Sequence, residues 1–198
     1  MNSHGSGAYA GGLNGKIEDQ ATYTANDNSV RAGYIQANGI DGEQTGSYAG
    51  GLCGRIWSKN QIDLLRDKVT ANGISGADKF VGGFAGKIYE DEDGAGVLTE
   101  DGEVTIAEYI KGSANVAGMF GFSDIFIGTN PFYVNSAKVT SPLIHADFGY
   151  AGGIHGYALT GQFHIGYYDP RGAYEPKRDY VVNIQVGKME GAYAVGGA

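Results

Sequence analysis

Two short patterns alternate along this chain in a fixed order, and that alternation restricts the fold more than any other property of the sequence. The first pattern is an aromatic or small residue, a small residue, Gly-Gly, an apolar residue, any residue, Gly, a basic or other residue, and an aliphatic one. It reads YAGGLNGKI at 9–17, YAGGLCGRI at 48–56 and FVGGFAGKI at 80–88. Looser copies are NVAGMFGFS at 115–123 and YAGGIHGYA at 150–158, and a truncated AVGGA stands at 194–198. The second pattern precedes each copy after the first: IQANGIDG at 35–42, VTANGISG at 69–76, VTIAEYIKG at 104–112, VTSPLIHA at 139–146 and IQVGKMEG at 184–191. Their starts are separated by 34, 35, 35 and 45 residues. The chain therefore reads as one repeat domain over 1–198, with units near 1–34 (partial), 35–68, 69–103, 104–138, 139–183 and 184–198 (partial).

Each unit holds two short segments rich in Val, Ile, Thr and Tyr, joined by glycine turns, which is strand composition. No unit of this size buries its apolar face alone, so neighbours must stack. The expected fold is all-β, a parallel β-solenoid of about five coils, with an antiparallel barrel or sandwich as the alternative. At period two, Leu52 and its equivalents Leu13, Phe84, Met119 and Ile154 are always apolar and are expected to face the core. The neighbouring position varies through Asn14, Cys53, Ala85, Phe120 and His155, and is expected to face solvent or a neighbour. Gly12, Gly15, Gly51, Gly54, Gly83, Gly86, Gly153 and Gly156 are structural, permitting either a tight corner or close approach of stacked backbones. Ser58–Lys68 is the one helical candidate, with Ile62 and Leu65 three apart; the segments 57–68, 89–103, 124–138 and 166–180 read as insertions outside the core.

Composition removes several classes. Among 198 residues, 35 glycines stand beside only 4 prolines, 42% hydrophobic residues and 14 tyrosines, which fits neither collagen nor a flexible linker. The net charge of −8 and pI near 4.9 disfavour a nucleic-acid partner, and Lys and Arg do not gather into a basic stripe along the sequence. Cys53 is the only cysteine, so neither an internal disulfide nor a CxxC zinc site is available. No run has the length of a membrane span, and the N-terminus carries no signal-peptide core. That opening reads as the start of an expressed piece, a mature terminus or a cut edge. Gly7-Ala8-Tyr9-Ala10 is echoed by Gly191-Ala192-Tyr193-Ala194, so the chain reads either as a fragment of a longer array or as a subunit stacking head to tail into a filament.

Candidate chemistry is sparse. Asp91, Glu92 and Asp93 lie in an acidic loop that offers clustered oxygens to calcium, or serves as a solvated loop that discourages aggregation. It lacks the spacing of an EF-hand. His145, His155 and His164 match no zinc pattern and are read as surface imidazoles. Neither a nucleophile-and-base motif nor a phosphate-binding loop is present, so no enzyme and no cofactor is expected. The rival reading is a carbohydrate-binding or polysaccharide-cleaving β-helix, for which a deep groove lined with Asp or Glu is the sign. Tyr167, Tyr168, Arg171, Tyr174 and Tyr180 form either a glycan- or protein-contact surface or a cover for the end of the stack, and 126–133 has the same ambiguity.

The Gly-Gly-Leu-x-Gly segment, repeated near Gly12–Gly15, Gly51–Gly54, Gly83–Gly86 and Gly153–Gly156 and more weakly at Gly118–Gly121, resembles the GLUG motif of large bacterial surface proteins. The resemblance covers most of the chain. It implies a parallel β-solenoid in an extracellular, surface-exposed structural or adhesive protein, with protein or glycan partners and no catalytic residues. The loose fourth copy and the long segments between motifs depart from a regular array.

Overall fold

The computed structural model describes residues 1–4, 8–39, 46–77, 79–90, 96–125, 131–159, 162–165 and 181–196. Within them the chain is all-β and winds as a parallel solenoid with three faces. The first face stacks β1 (Asn2–His4), β4 (Ser29–Asn38), β7 (Lys68–Gly76), β11 (Gly102–Gly112), β15 (Ala137–Ala146) and β19 (Val182–Gly191). The second stacks the short strands β2 (Tyr9–Gly11), β5 (Tyr48–Gly50), β8 (Phe80–Gly82), β12 (Asn115–Ala117), β16 (Tyr150–Gly152) and β20 (Ala194–Gly196). The third begins with two long strands, β3 (Asn14–Asn26) and β6 (Cys53–Leu65). Later coils split this face into two columns: β9 (Ala85–Glu90), β13 (Phe120–Ile125) and β17 (His155–Ala158) stack on the first half of β6, while β10 (Gly96–Glu100), β14 (Pro131–Val134) and β18 (Gln162–Ile165) stack on its second half. Every strand pairing among the described residues is parallel, which removes the antiparallel alternative.

The two sequence patterns are the first face and the corner between the second and third. Register is in step where the motif is strict, with Tyr9, Tyr48 and Phe80 aligned and Val69, Val104 and Val139 aligned. One contiguous core fills the coil, from Ala8 to Ile154. Its largest fully buried members include Phe84, Phe120, Phe132, Ile62 and Leu64, each worth roughly 1.5–3 kcal/mol of burial.

Several expectations fail, each for a physical reason. Ser58–Lys68 is not a helix: it continues β6 and enters β7. Ile62 and Leu64, at period two, are both 0% exposed, whereas Leu65, half of the supposed helical pair, is only half-buried. Strand β6 needs no local propensity there, because β3 and β10 pair with it on either side. The supposed insertions 57–68, 89–103 and 124–138 likewise supply core strands, with Val97, Phe132 and Val134 wholly buried. The varying column is not outward. Cys53, Ala85 and Phe120 are 0% exposed, as are Leu52, Phe84 and Met119 beside them, because the chain turns a corner at 51–52 and both positions then look inward. Leu13 is 41% exposed since it sits on the first coil with no layer over it.

The glycines resolve to the second of their two expected roles. Among described glycines only Gly96 has a positive φ, so the repeat glycines are not there for a left-handed turn. A Cβ at Gly51 would lie 2.0 Å from the Gly83 carbonyl oxygen, and one at Gly83 would lie 1.9 Å from that of Gly118. Gly12, Gly15, Gly54, Gly86 and Gly156 meet backbone of the adjacent coil or face in the same way, at 2.4 to 3.0 Å. Glycine is required because consecutive corners touch.

Candidate functional site

The first half of the third face carries a feature that no linear reading of charge displays. The basic position of the first pattern is Lys16 in one coil, Arg55 in the next and Lys87 in the third, and register places them directly opposite one another. The sequence-level view that Lys and Arg form no stripe is thereby corrected: residues 39 and 32 positions apart in sequence become neighbours one rung apart. The column continues through Phe122 and Tyr157. Beside it run Trp57 and Tyr89, opposite each other in edge contact at 5.9 Å.

Aromatic rings fix the flanks of the column. Tyr9 stacks on Tyr48 at 5.2 Å, Phe80 on Phe122 at 4.6 Å and Phe122 on Tyr157 at 5.8 Å. Each cation lies over a ring: Lys16 Nζ 5.0 Å from Tyr9, Arg55 Cζ 5.8 Å from Trp57, and Lys87 Nζ 5.1 Å from Phe122 and 5.4 Å from Tyr89. Such contacts contribute roughly 0.5–1 kcal/mol at exposed sites and hold a charge in place. Like charges opposite each other in adjacent strands nevertheless repel. Burial first and the Arg55 charge second push the Lys87 ammonium below its ordinary pKa. Glu18 partly offsets the column at its first coil, 2.5 Å from Lys16 and 3.5 Å from Arg55. Two donors within the patch, Arg55 Nε and Trp57 Nε1, are sealed and have no acceptor among the described residues.

A second polar region lies at the corner between the third and first faces. Asp27, Arg66 and Asp101 on successive coils have φ of 56°, 57° and 51°, a left-handed conformation that costs a non-glycine residue roughly 1–2 kcal/mol. Arg66 grips Asp27 in a fork, Nε to Oδ1 at 2.7 Å and Nη2 to Oδ2 at 2.9 Å, and holds that carboxyl below its usual range. An open groove of about 550 Å³ runs along this corner, lined by these residues with Lys68, Glu103 and Lys138. Glu103 sits between the two lysines, at 3.5 and 3.3 Å.

Inside the first coils, Tyr23 hydroxyl and Cys53 Sγ are 3.2 Å apart, and Asp67 Oδ1 accepts from Asn28 N and Nδ2 at 2.9 and 2.8 Å. Burial pushes the Cys53 thiol up to about 11 and raises Tyr23 and Asp67 as well. A thiol with that pKa stays protonated at neutral pH and is a packing group, not a nucleophile.

The histidines separate. His155 is not a surface imidazole; it is caged by Phe132, Phe163 and Phe120 at 4.6, 4.8 and 5.3 Å, with Nε2 sealed and unpartnered. Burial lowers its pKa to about 3, so it is a neutral ring, half-buried against the core. His145 is gripped by Asp147 at 2.8 Å and Glu190 at 3.2 Å, and His164 stacks on Tyr133 at 4.9 Å. Among the described residues no three His, Cys, Asp or Glu side chains converge as a metal site. The calcium candidates Asp91, Glu92 and Asp93, and the contact candidates Tyr167, Tyr168, Arg171, Tyr174 and Tyr180, lie outside the described residues. No helix among the described residues is long and apolar enough to cross a membrane. No known protein family, curated protein or solved structure matches this chain.

Proposed function

We propose that the chain is a structural and adhesive segment of an extracellular surface protein, of the kind its GLUG-like glycines suggest, and that it works by binding along an exposed face without turnover. The observation that carries this reading is the column Lys16–Arg55–Lys87, an extended contact surface running along the coil axis in place of a closed pocket. Support also comes from the interior, where the varying motif position is given to packing. What varies from coil to coil inside is shape; what repeats outside is charge.

The corner groove favours a second reading, a polysaccharide-cleaving β-helix, because it gathers Asp27, Asp101 and Glu103. Glycoside cleavage needs one carboxyl held protonated by a raised pKa. Asp27 is shifted the opposite way and Glu103 is flanked by two lysines, which speaks for a charged, structural seam. A third possibility, end-to-end assembly, is served by Leu13 (41% exposed) and Val195 (49% exposed) at the outermost described coils.

One experiment separates these readings. The purified chain is immobilised and offered a panel of extracellular polysaccharides and proteins, with release of new reducing ends followed in parallel. Retention without chain scission is expected; scission by the purified protein overturns the proposal, and a sedimentation coefficient that climbs with concentration points to assembly.

A further inference from the structure

We propose that Lys16, Arg55 and Lys87, with Trp57 and Tyr89 alongside, form a binding stripe for a linear acidic glycan that lays one anionic group on each rung. This rests on the adhesive reading above and specifies its ligand.

A column of like charges carries a cost. Three cations directly opposite one another destabilise a sheet unless anions intervene, and the repulsion registers on Lys87. Glu18 lies against Lys16 and, at 3.5 Å, against Arg55, and Asp124 acts on Lys87 from the coil beyond. Arg55, in the middle, has Nε without an acceptor, and Trp57 Nε1 two residues further along the strand has none either. A sealed donor left unpaired costs roughly 1–3 kcal/mol. A carboxylate or sulfate oxygen set against the exposed part of the Arg55 side chain adds a charge-assisted partner in the middle of the column and offsets the repulsion there. The Arg55 side chain is 21% exposed, with its guanidinium carbon 5.8 Å from the centroid of the Trp57 ring.

Spacing selects the ligand. Rungs of a parallel sheet are about 4.8 Å apart, comparable to the advance of one ring in a 1,4-linked pyranose chain running along the coil axis, and such a chain sets its anionic groups against the stripe by turning about its linkages. An extended peptide presents same-face side chains only every two residues, about 6.6 Å, and drifts out of step within three coils. Nucleic acid meets a protein of net charge −8, which disfavours a phosphate backbone. Trp57 and Tyr89 add apolar ring surface of the kind that sugar faces pack on, beside polar groups that fix orientation.

The test is calorimetric titration of the whole chain with oligogalacturonates of two to six units, with their methyl esters as the uncharged control and a sulfated galactan tetrasaccharide, which carries no carboxylate, to separate carboxylate from sulfate. The carboxylated oligomers should bind at least tenfold more tightly than the esters. Affinity should rise with length until the oligomer spans the three cationic rungs and then level. Raising salt should weaken binding in proportion to the contacts made. Arg55→Gln and Lys87→Gln should each weaken binding about tenfold, and Trp57→Ala should weaken both acidic probes. Lys138→Gln, in the corner groove, should leave binding unchanged, with urea midpoints confirming that each variant is folded. The proposal is overturned if esters bind as well as acids, if poly-glutamate or DNA binds as tightly as oligogalacturonate, if no acidic probe binds, or if Lys138→Gln matters and Arg55→Gln does not. A chain that retains a neutral polymer in the panel while Arg55→Gln changes nothing keeps the adhesive reading and loses this one.

Discussion

Replacing Gly83 by alanine isolates the close approach on which the coil stack depends. The added Cβ would sit 1.9 Å from the Gly118 carbonyl oxygen and 2.6 and 2.9 Å from the two methyls of Val104. Reaching an ordinary contact of 3.4 Å requires the coils to part locally by roughly 1.5 Å. That movement acts on three backbone hydrogen bonds, Gly83 N to Ala117 O at 3.3 Å and the Phe84 and Ala85 N–H groups to Met119 O at 2.8 and 3.1 Å. Overpacking typically costs about 1–3 kcal/mol, and each weakened hydrogen bond about 0.5–1.5 kcal/mol. A loss of about 3–6 kcal/mol follows, which lowers the melting midpoint by about 10 °C or more for a chain of this length. The comparator is Gly33→Ala, also on a strand without positive φ, where a Cβ meets nothing within 4 Å. There alanine should be neutral or stabilising by up to about 1 kcal/mol, through the unfolded state. Urea unfolding of both variants decides the matter. If Gly83→Ala stays within about 1 kcal/mol of Gly33→Ala, the glycines do not serve coil contact and the reasoning is wrong.

Other outcomes follow from the interior. His155→Phe should stabilise the chain by about 1 kcal/mol at neutral pH by removing a sealed, unpartnered nitrogen. It should also flatten a pH dependence: the folded pKa of about 3 lies below the ordinary 6.5, so the wild type has its full stability above pH 6.5 and loses it as pH falls toward 3, seen as a falling urea midpoint. Asp67 behaves oppositely. Its carboxyl is raised above 3.8 by burial, so its contribution is complete below that pH and declines as pH rises, and Asp67→Asn should gain on the wild type between acid and neutral pH. Phe132→Ala, at a fully buried site ringed by Phe120, His155 and Phe163, should cost about 3–5 kcal/mol by chemical denaturation.

Repetition made the topology readable. Tyr48, Gly50 and Leu52 recur with so little change that parallel stacking was the economical solution, and the first face and the second-to-third corner follow from it. The third face was harder because its second column carries no repeated motif: Ile62, Val97, Phe132 and Phe163 share a column but only their apolar character. Period-two spacing of Ile62 and Leu64 was the available signal, and a three-residue spacing to Leu65 obscured it. Cys53 and its equivalents misled for a geometric reason, since a corner inverts the alternation that holds along a straight strand. The cation column was legible in principle, as Lys16, Arg55 and Lys87 hold one motif position. It was missed because charge was read along the chain, while the fold reads it across the repeat. The caging of His155 had no such signal, because its rings come from three strands on two coils.

The stacking that creates this column is also the claim most directly measured. Spin labels placed by Lys16→Cys with Lys87→Cys, and by Lys16→Cys with Tyr157→Cys, in a chain lacking the buried Cys53 thiol, report distances along it. Two rungs separate the first pair and four the second, so labelled backbones should lie about 10 Å and about 19 Å apart at roughly 4.8 Å per rung. Those values, in that order, are what parallel in-register coils require. A Lys16–Lys87 distance equal to or longer than that of Lys16–Tyr157 would contradict the column, and with it the binding stripe.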